Sequence, residues 1–366
     1  MDAALVLERR RSWLVPAIVV ALVVGLAAVL VARVAGGDDE AATPTTAPAS
    51  TTSTSAELAP DGPNLARLDA ASALPEPIWL LAGRSRSENT MQLYRIDADG
   101  DRRVNVATGQ GQLPGVRFRA IRADDAIVWS NGDNLFRIDE DLSLIPFTLG
   151  PAAAVFPSTD EQVWTLDAEN VIFDTPLTPD RQPEELGQLP SELIAALSEA
   201  LFLLRAQGGV GLWAGGLQPA YVGDSLLAVS SDQVFLSGRR DGEPAIVVAQ
   251  AVPFAVTSTV PLDVDGVPLG DGALSPDGEL VAFHLQRGGR IELAVADVAD
   301  GTTTSLGVFT DRAAPVWLDD GRLVAIGAPT GDTQVVWLLS PGTGEPSVPI
   351  LELDAGRAWT LAGPTA

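Results

Sequence analysis

One unit recurs through most of this chain, and it limits the fold more than any other feature. Its clearest copy is Leu274-Ser275-Pro276-Asp277-Gly278-Glu279-Leu280-Val281-Ala282-Phe283. Pro presets φ, Asp bonds its own backbone, and Gly permits φ > 0, so Ser275-Pro276-Asp277-Gly278 reads as a turn. The apolar run behind it reads as a strand. An acidic turn residue followed by a strand with an aromatic recurs at Glu76/Trp79, Asp125/Trp129, Asp160/Trp164, Glu199/Phe202 and Asp232/Phe235, besides Asp277/Phe283. Asp320, with Gly321 and the run Leu323-Val324-Ala325-Ile326, is a seventh copy without the aromatic. Successive marks lie 33 to 49 residues apart, with a mean near 41.

That mean is the period of a four-stranded propeller blade. A further strand signal sits inside the period: Leu93-Tyr94-Arg95-Ile96-Asp97, Leu135-Phe136-Arg137-Ile138-Asp139, Leu293-Ala294-Val295-Ala296-Asp297 and Val335-Val336-Trp337-Leu338-Leu339, each followed by a polar or Gly-rich corner. The reading is an all-β fold, a β-propeller of seven blades, with six or eight as the alternatives. Ala358-Trp359-Thr360-Leu361 is a candidate closing strand. The stretch Ser191–Leu204 resists, because Leu193, Leu197, Ala200 and Leu204 have helical spacing behind a Ser cap. The competing reading is a strand over Leu201–Arg205 and another over Val210–Ala214, and the propeller context supports it.

The N-terminus is organised differently. Glu8-Arg9-Arg10-Arg11-Ser12 precedes 20 uncharged residues, Trp13 to Ala32. A helix there would span about 30 Å, the thickness of a bilayer core. The arginines lie before it, and Asp38-Asp39-Glu40 follows, so the positive-inside rule puts the N-terminus in the cytoplasm. The domain plan is a cytoplasmic tail (1–12), an uncleaved signal-anchor helix (13–35), a disordered Ala/Thr/Ser/Pro-rich linker (36–75) and a propeller (76–366) on the extracytoplasmic side of the cell membrane. The rival for the apolar segment is a cleaved signal peptide; Arg33 spoils the small-residue site ending at Ala35.

Ser275-Pro276-Asp277-Gly278 with Val281-Ala282-Phe283 and the Asp297…Gly301 corner resembles the repeat of TolB-like propellers, relatives of the WD-repeat architecture. Trp317-Leu318-Asp319-Asp320-Gly321 is a degraded copy. The resemblance covers about residues 270–345, and residues 76–270 join it by periodicity. It implies a propeller used mostly for binding partners, and it implies no catalytic residues.

Composition narrows the chemistry. The chain has no cysteine, which removes disulfides, thiolate metal sites, a Cys nucleophile and a lipid-anchor cysteine. Its net charge is −25, and beyond the apolar segment 19 arginines face 46 acids. Such a surface repels nucleic acid and anionic lipid. The motif Gly209-Val210-Gly211-Leu212-Trp213-Ala214 fits G-x-G-x-x-A, but strands surround it where a phosphate loop needs a following helix. Asp97-Ala98-Asp99-Gly100-Asp101 and Asp263-Val264-Asp265-Gly266 lack the remaining ligands of a calcium loop. Ser158–Trp164 is similar to the Asp-box of sialidases without its Gly. His284, the only histidine, has no second His or Cys to share a metal and no G-x-S-x-G nucleophile to serve.

These readings place structure, not catalysis, at the turn residues Asp125, Asp160, Asp232, Ser275, Pro276, Asp277, Gly278, Asp320 and Gly321, with no cofactor. The expected function is a membrane-anchored, non-catalytic binding or scaffold protein of the cell envelope, holding a protein, peptide or glycan. The alternative is a carboxylate-based propeller enzyme of lactonase, glycosidase or lyase type. Four acids converging at one end of the channel would favour the enzyme; an apolar channel would count against it.

Overall fold

The computed structural model describes residues 65–364, except 84–90, 107–119, 124–125, 144–146, 160, 179–180, 217, 311 and 344. The tail, the anchor segment, the linker as far as residue 64, and the turn residues Asp125 and Asp160 lie outside the described residues. No helix among the described residues is long and apolar enough to cross a membrane.

The architecture is an all-β propeller. Its strands form six sheets, one of which has eight strands and joins two four-stranded antiparallel meanders through a short parallel pairing. Among the described residues seven meanders result, numbered here in chain order. Their second strands are Ile78–Ala82, Ala126–Ser130, Gln162–Leu166, Leu201–Ala206, Gln233–Arg240, Leu280–Arg287 and Leu323–Ile326. Each of the seven acidic marks precedes one of these strands in sequence; Glu199, Asp232, Asp277 and Asp320 lie in the turn between a first and a second strand, whereas Glu76 follows the 3-10 segment at the closing seam.

The second strands are nearly continuous apolar runs because a sheet sandwiched between two others buries both faces. Trp129, Phe235 and Phe283 have no exposed surface. Trp79 and Trp129 share one core cluster, Trp164 and Phe202 another, Phe235 and Phe283 a third. The recurring aromatic therefore fills the space between neighbouring meanders and stitches one repeat to the next.

The stretch with helical spacing is extended. Leu193–Ser198 pairs antiparallel with Leu201–Ala206, with Leu193 opposite Leu204. Glu199-Ala200 makes the turn between them. Leu203, Leu204 and Val210 then face neighbouring sheets, a demand that overrides the local helical pattern.

Both chain ends of the domain meet at one seam. Trp359–Pro364 is the first strand of meander 1: it pairs antiparallel with Ile78–Ala82, with Leu80 opposite Leu361. The closing strand read from sequence is thus in place. Trp359 is 5% exposed, donates from Nε1 to the Asp354 carbonyl at 2.8 Å, and lies 5.7 Å from the Tyr94 ring.

One boundary needs correction. Leu65–Arg67 is a strand on the outer edge of meander 7, paired with Val348–Asp354, and Asp69–Ala73 is a 3-10 helix. Leu65, Ala71 and Leu74 are buried with Leu80, Leu353 and Trp359. Arg67 donates to the carbonyls of Ala98 and Gly100 and pairs with Asp101 at 2.8 Å. The folded domain therefore begins before residue 76, and the linker does not run to 75. Sequence reading missed this because the partner strand lies at the far end of the chain.

Candidate functional site

The first strands of neighbouring meanders touch one another: Trp359–Pro364 with Ala120–Ala123, Ala120–Ala123 with Ala154–Thr159, Ala154–Thr159 with Leu193–Ser198, Ser225–Val229 with Val267–Leu274, and Val316–Trp317 with both Val267–Leu274 and Trp359–Pro364. These strands surround the axis, so the turns that follow them border one mouth of it. Among the described residues, the turns of meanders 3 to 7 each carry an acid, and Glu76 precedes the second strand of meander 1. Glu161, Glu199, Asp232, Asp277, Glu279, Asp319 and Asp320 are exposed and Glu76 is half-buried. The one arginine in these turns, Arg322, pairs with Asp320 at 2.7 Å.

Local chemistry explains three of these acids. In the turn of meander 6 the Ser275 hydroxyl donates to Asp277 Oδ1 at 2.5 Å, and the Glu279 amide donates to the same oxygen at 3.0 Å. The Leu280 amide donates to Ser275 Oγ at 2.9 Å, and Gly278 takes φ 76°, where a Cβ would be strained. The Ser275 hydroxyl, and next the Glu279 amide, hold the Asp277 carboxyl below its ordinary range. Meander 5 repeats the device: Ser230 Oγ donates to Asp232 Oδ1 and accepts from the Gln233 amide, each at 3.1 Å. In meander 7 the Arg322 amide donates to Asp320 Oδ1, and Gly321 has φ 80°. Pro276 is exposed beside them. Of the residues singled out from sequence, the described ones (Asp232, Ser275, Pro276, Asp277, Gly278, Asp320 and Gly321) are thus distributed round one mouth, each within its own turn. The structure does not bring them together into one cluster. Glu76 is the exception among the marks, because it accepts from the Asp319 amide at 2.6 Å across the closing seam.

Two charged groups on the first strands were not visible in the sequence. Asp271 is the one acid on the seven first strands. It pairs with Arg312 at 3.3 Å and has φ 65°. Its neighbours must be glycine: a Cβ on Gly272 would lie 2.1 Å from the Ala282 carbonyl oxygen and 2.5 Å from that of Leu227. Gly-Asp-Gly inside a strand pattern was the available signal. Arg122 is the one arginine on the first strands. It bonds Glu140 at 2.6 Å, lies 3.6 Å from Glu76, and sits over the Trp79 ring at 5.0 Å.

Between meanders 3 and 4 the acids crowd: burial first, then Glu199 and Glu184, raise the Asp174 carboxyl above its ordinary range. No group of three His, Cys, Asp or Glu side chains among the described residues could hold a metal ion. His284 is wholly buried, opposite Leu269 and Leu293 of its neighbouring strands. Gly209 opens the third strand of meander 4, where a Cβ would lie 2.3 Å from the Gly223 carbonyl oxygen, so the glycine-rich motif serves close strand packing. Asp97 Oδ1 accepts from the amides of Asp99 and Gly100 at 3.1 Å each, which makes that acidic run a hairpin corner. The Asp265 carbonyl accepts from Arg287 Nε at 2.7 Å in the connection between meanders 5 and 6.

No protein-family model and no curated protein matches this chain. Solved structures match it at the level of fold. A puromycin-hydrolyzing peptidase of Mycobacterium tuberculosis aligns with TM-score 0.50 and 15% identity, over 75% of this chain and 52% of that one. TolB from Acinetobacter baumannii aligns with TM-score 0.48 and 14% identity, over 78% of this chain and 66% of that one. A functionally unknown protein of Desulfotomaculum acetoxidans gives 0.48 and 13%, over 78% and 99%. The chain spans less than two thirds of the length of the first two.

Proposed function

We propose that this chain is a seven-bladed propeller, counting the two halves of the eight-stranded sheet separately, which Trp13–Ala32 tethers to the outside of the cell membrane. There it binds a basic partner without turning it over. One observation carries the binding reading: Asp232, Asp277 and Asp320 are engaged within their own turns, and the single acid of the first strands is held by Arg312. A carboxylate enzyme needs two such groups facing a shared substrate. A serine-type hydrolase needs a histidine within reach of solvent, and the only histidine is buried.

The acidic turns supply attraction instead. Seven exposed carboxylates on a rigid ring of loops create a field that steers a basic protein or peptide, and loops on a rigid scaffold are where binding usually resides. The test uses the full-length protein cross-linked in its own envelope. A basic partner should be recovered, and its recovery should fall as salt rises from about 0.05 to 0.5 M, where the Debye length shrinks from roughly 14 to 4 Å. DNA and anionic vesicles should not be retained. Sustained turnover of an ester, lactone or glycoside, lost when Asp271 is replaced, would overturn the reading in favour of the enzyme.

A further inference from the structure

Away from the acidic mouth, the fourth strand of meander 4 is short. Ala220–Gly223 has four residues, whereas the facing strands of meander 5, Gln233–Arg240 and Glu243–Gln250, have eight each. A groove of about 310 Å³ opens at this mismatch, lined by Tyr221, Gly223, Asp224, Gly238, Arg239 and Val247. Its volume is at the low end of the roughly 300–1,000 Å³ typical of small-ligand sites.

Three features make the groove more than a gap. Tyr221 is 56% exposed, yet its hydroxyl donates to Asp224 Oδ1 at 2.5 Å, so the ring is held while remaining open to solvent. Arg239 donates from Nη1 to the Gly242 carbonyl at 2.8 Å, which orients the guanidinium at the rim. Gly238 has no side chain to cover this part of the sheet; a Cβ there would lie 2.8 Å from Val247 Cγ2. The charges of Asp224 and Arg239 cancel locally, in a chain whose net charge is −25.

We propose that this groove binds a neutral saccharide, one or two sugar rings in size, with Tyr221 as its stacking platform. A sugar ring has an apolar C–H face, which an aromatic ring accepts, and a rim of hydroxyls that both donate and accept. Asp224 supplies the acceptor and Arg239 the donor. The local neutrality gives no reward to an anionic or cationic ligand, in contrast to the turns round the mouth. The proposal extends the binding reading to a second surface and rests on that reading only in needing a propeller that binds.

The test is saturation-transfer NMR on the full-length protein in phospholipid nanodiscs, with maltose, cellobiose and N,N′-diacetylchitobiose as probes. At least one should receive saturation at its ring protons. Tyr221→Ala should weaken that binding by roughly three- to tenfold, the loss of one stacking contact, with the β-sheet circular dichroism and a cooperative unfolding transition retained. Tyr221→Phe, which keeps the ring and loses the clamp to Asp224, should fall between. Saturation of none of the three sugars by the wild type, or equal saturation by Tyr221→Ala, overturns the proposal. Recovery of the basic partner by Tyr221→Ala is the separate readout: it stands or falls with the acidic turns whatever the sugars do.

Discussion

Leu74→Ala gives the sharpest test of how the domain begins. Sequence composition places Leu74 in a linker, where the substitution would be silent. In the structure Leu74 is 4% exposed and packs in the core at the closing seam with Ala71, Leu80, Leu353 and Trp359. Leu→Ala removes about three carbon groups, at about 0.8 kcal/mol each, or roughly 2.4 kcal/mol of transfer free energy. A residual cavity adds to this, since the 3-10 helix Asp69–Ala73 is tied down on both sides, by Arg67 to Ala98 and by Arg322 to the Ala73 carbonyl at 2.9 Å. The expected loss is therefore about 2.5–4 kcal/mol. Urea unfolding followed by tryptophan fluorescence reads it as a lower midpoint at unchanged slope. Val256→Ala, at a valine 55% exposed, is the control and should cost less than about 0.5 kcal/mol. Equal midpoints for Leu74→Ala and the control would refute the assignment of residues 65–74 to the propeller.

Other outcomes follow from the same geometry. Gly272→Ala should destabilise by about 1–3 kcal/mol or prevent folding, because the added carbon meets two backbone carbonyls that cannot rotate away; wild-type stability on calorimetry would contradict the close approach of the first strands. The bond to Asp224, with burial and the Asp224 charge adding to it, pushes the Tyr221 hydroxyl up to about 12. A folded value above the unfolded one of about 10 contributes stability that is present below pH 10 and lost as pH rises through 12. In a Tyr94→Phe background, tyrosinate absorbance should show a single late titration that Asp224→Asn moves back toward 10; an ordinary value in the parent would contradict the clamp. Asp277 runs the other way: its lowered value contributes stability above the ordinary carboxylate range, lost as pH falls through the folded value. Ser275→Ala should raise its NMR titration midpoint, and no change would mean that the hydroxyl is not the chief cause.

Much of the architecture was legible because a propeller repeats its local rules. Asp277-Gly278 before Val281–Phe283 states the turn, the strand and the buried aromatic in one short run, and six weaker copies fall in the same register. What could not be read was set by partners distant in sequence. Leu65 and Leu74 look like linker residues until Leu353 and Trp359 are beside them. The spacing of Leu193, Leu197 and Leu204 reads as a helix until sheets close on both sides. Asp271 and Arg312, or Arg122 over Trp79, are ordinary charges in the sequence and become pairs only through the ring. The groove at Tyr221 depends on the relative lengths of two strands in different meanders, a quantity that no motif encodes.

The central claim is that the acidic turns between first and second strands hold a partner. It is tested most directly by photo-cross-linking residues placed singly at Glu161, Glu199, Asp232 and Asp319 in the intact envelope. The comparison set is the opposite hairpins, at Asp133, Glu169, Gln207 and Gly331. Adducts with one basic partner from the turn positions, absent from the hairpin positions and weakened by salt, are the predicted result. Adducts confined to the hairpin positions would contradict the account.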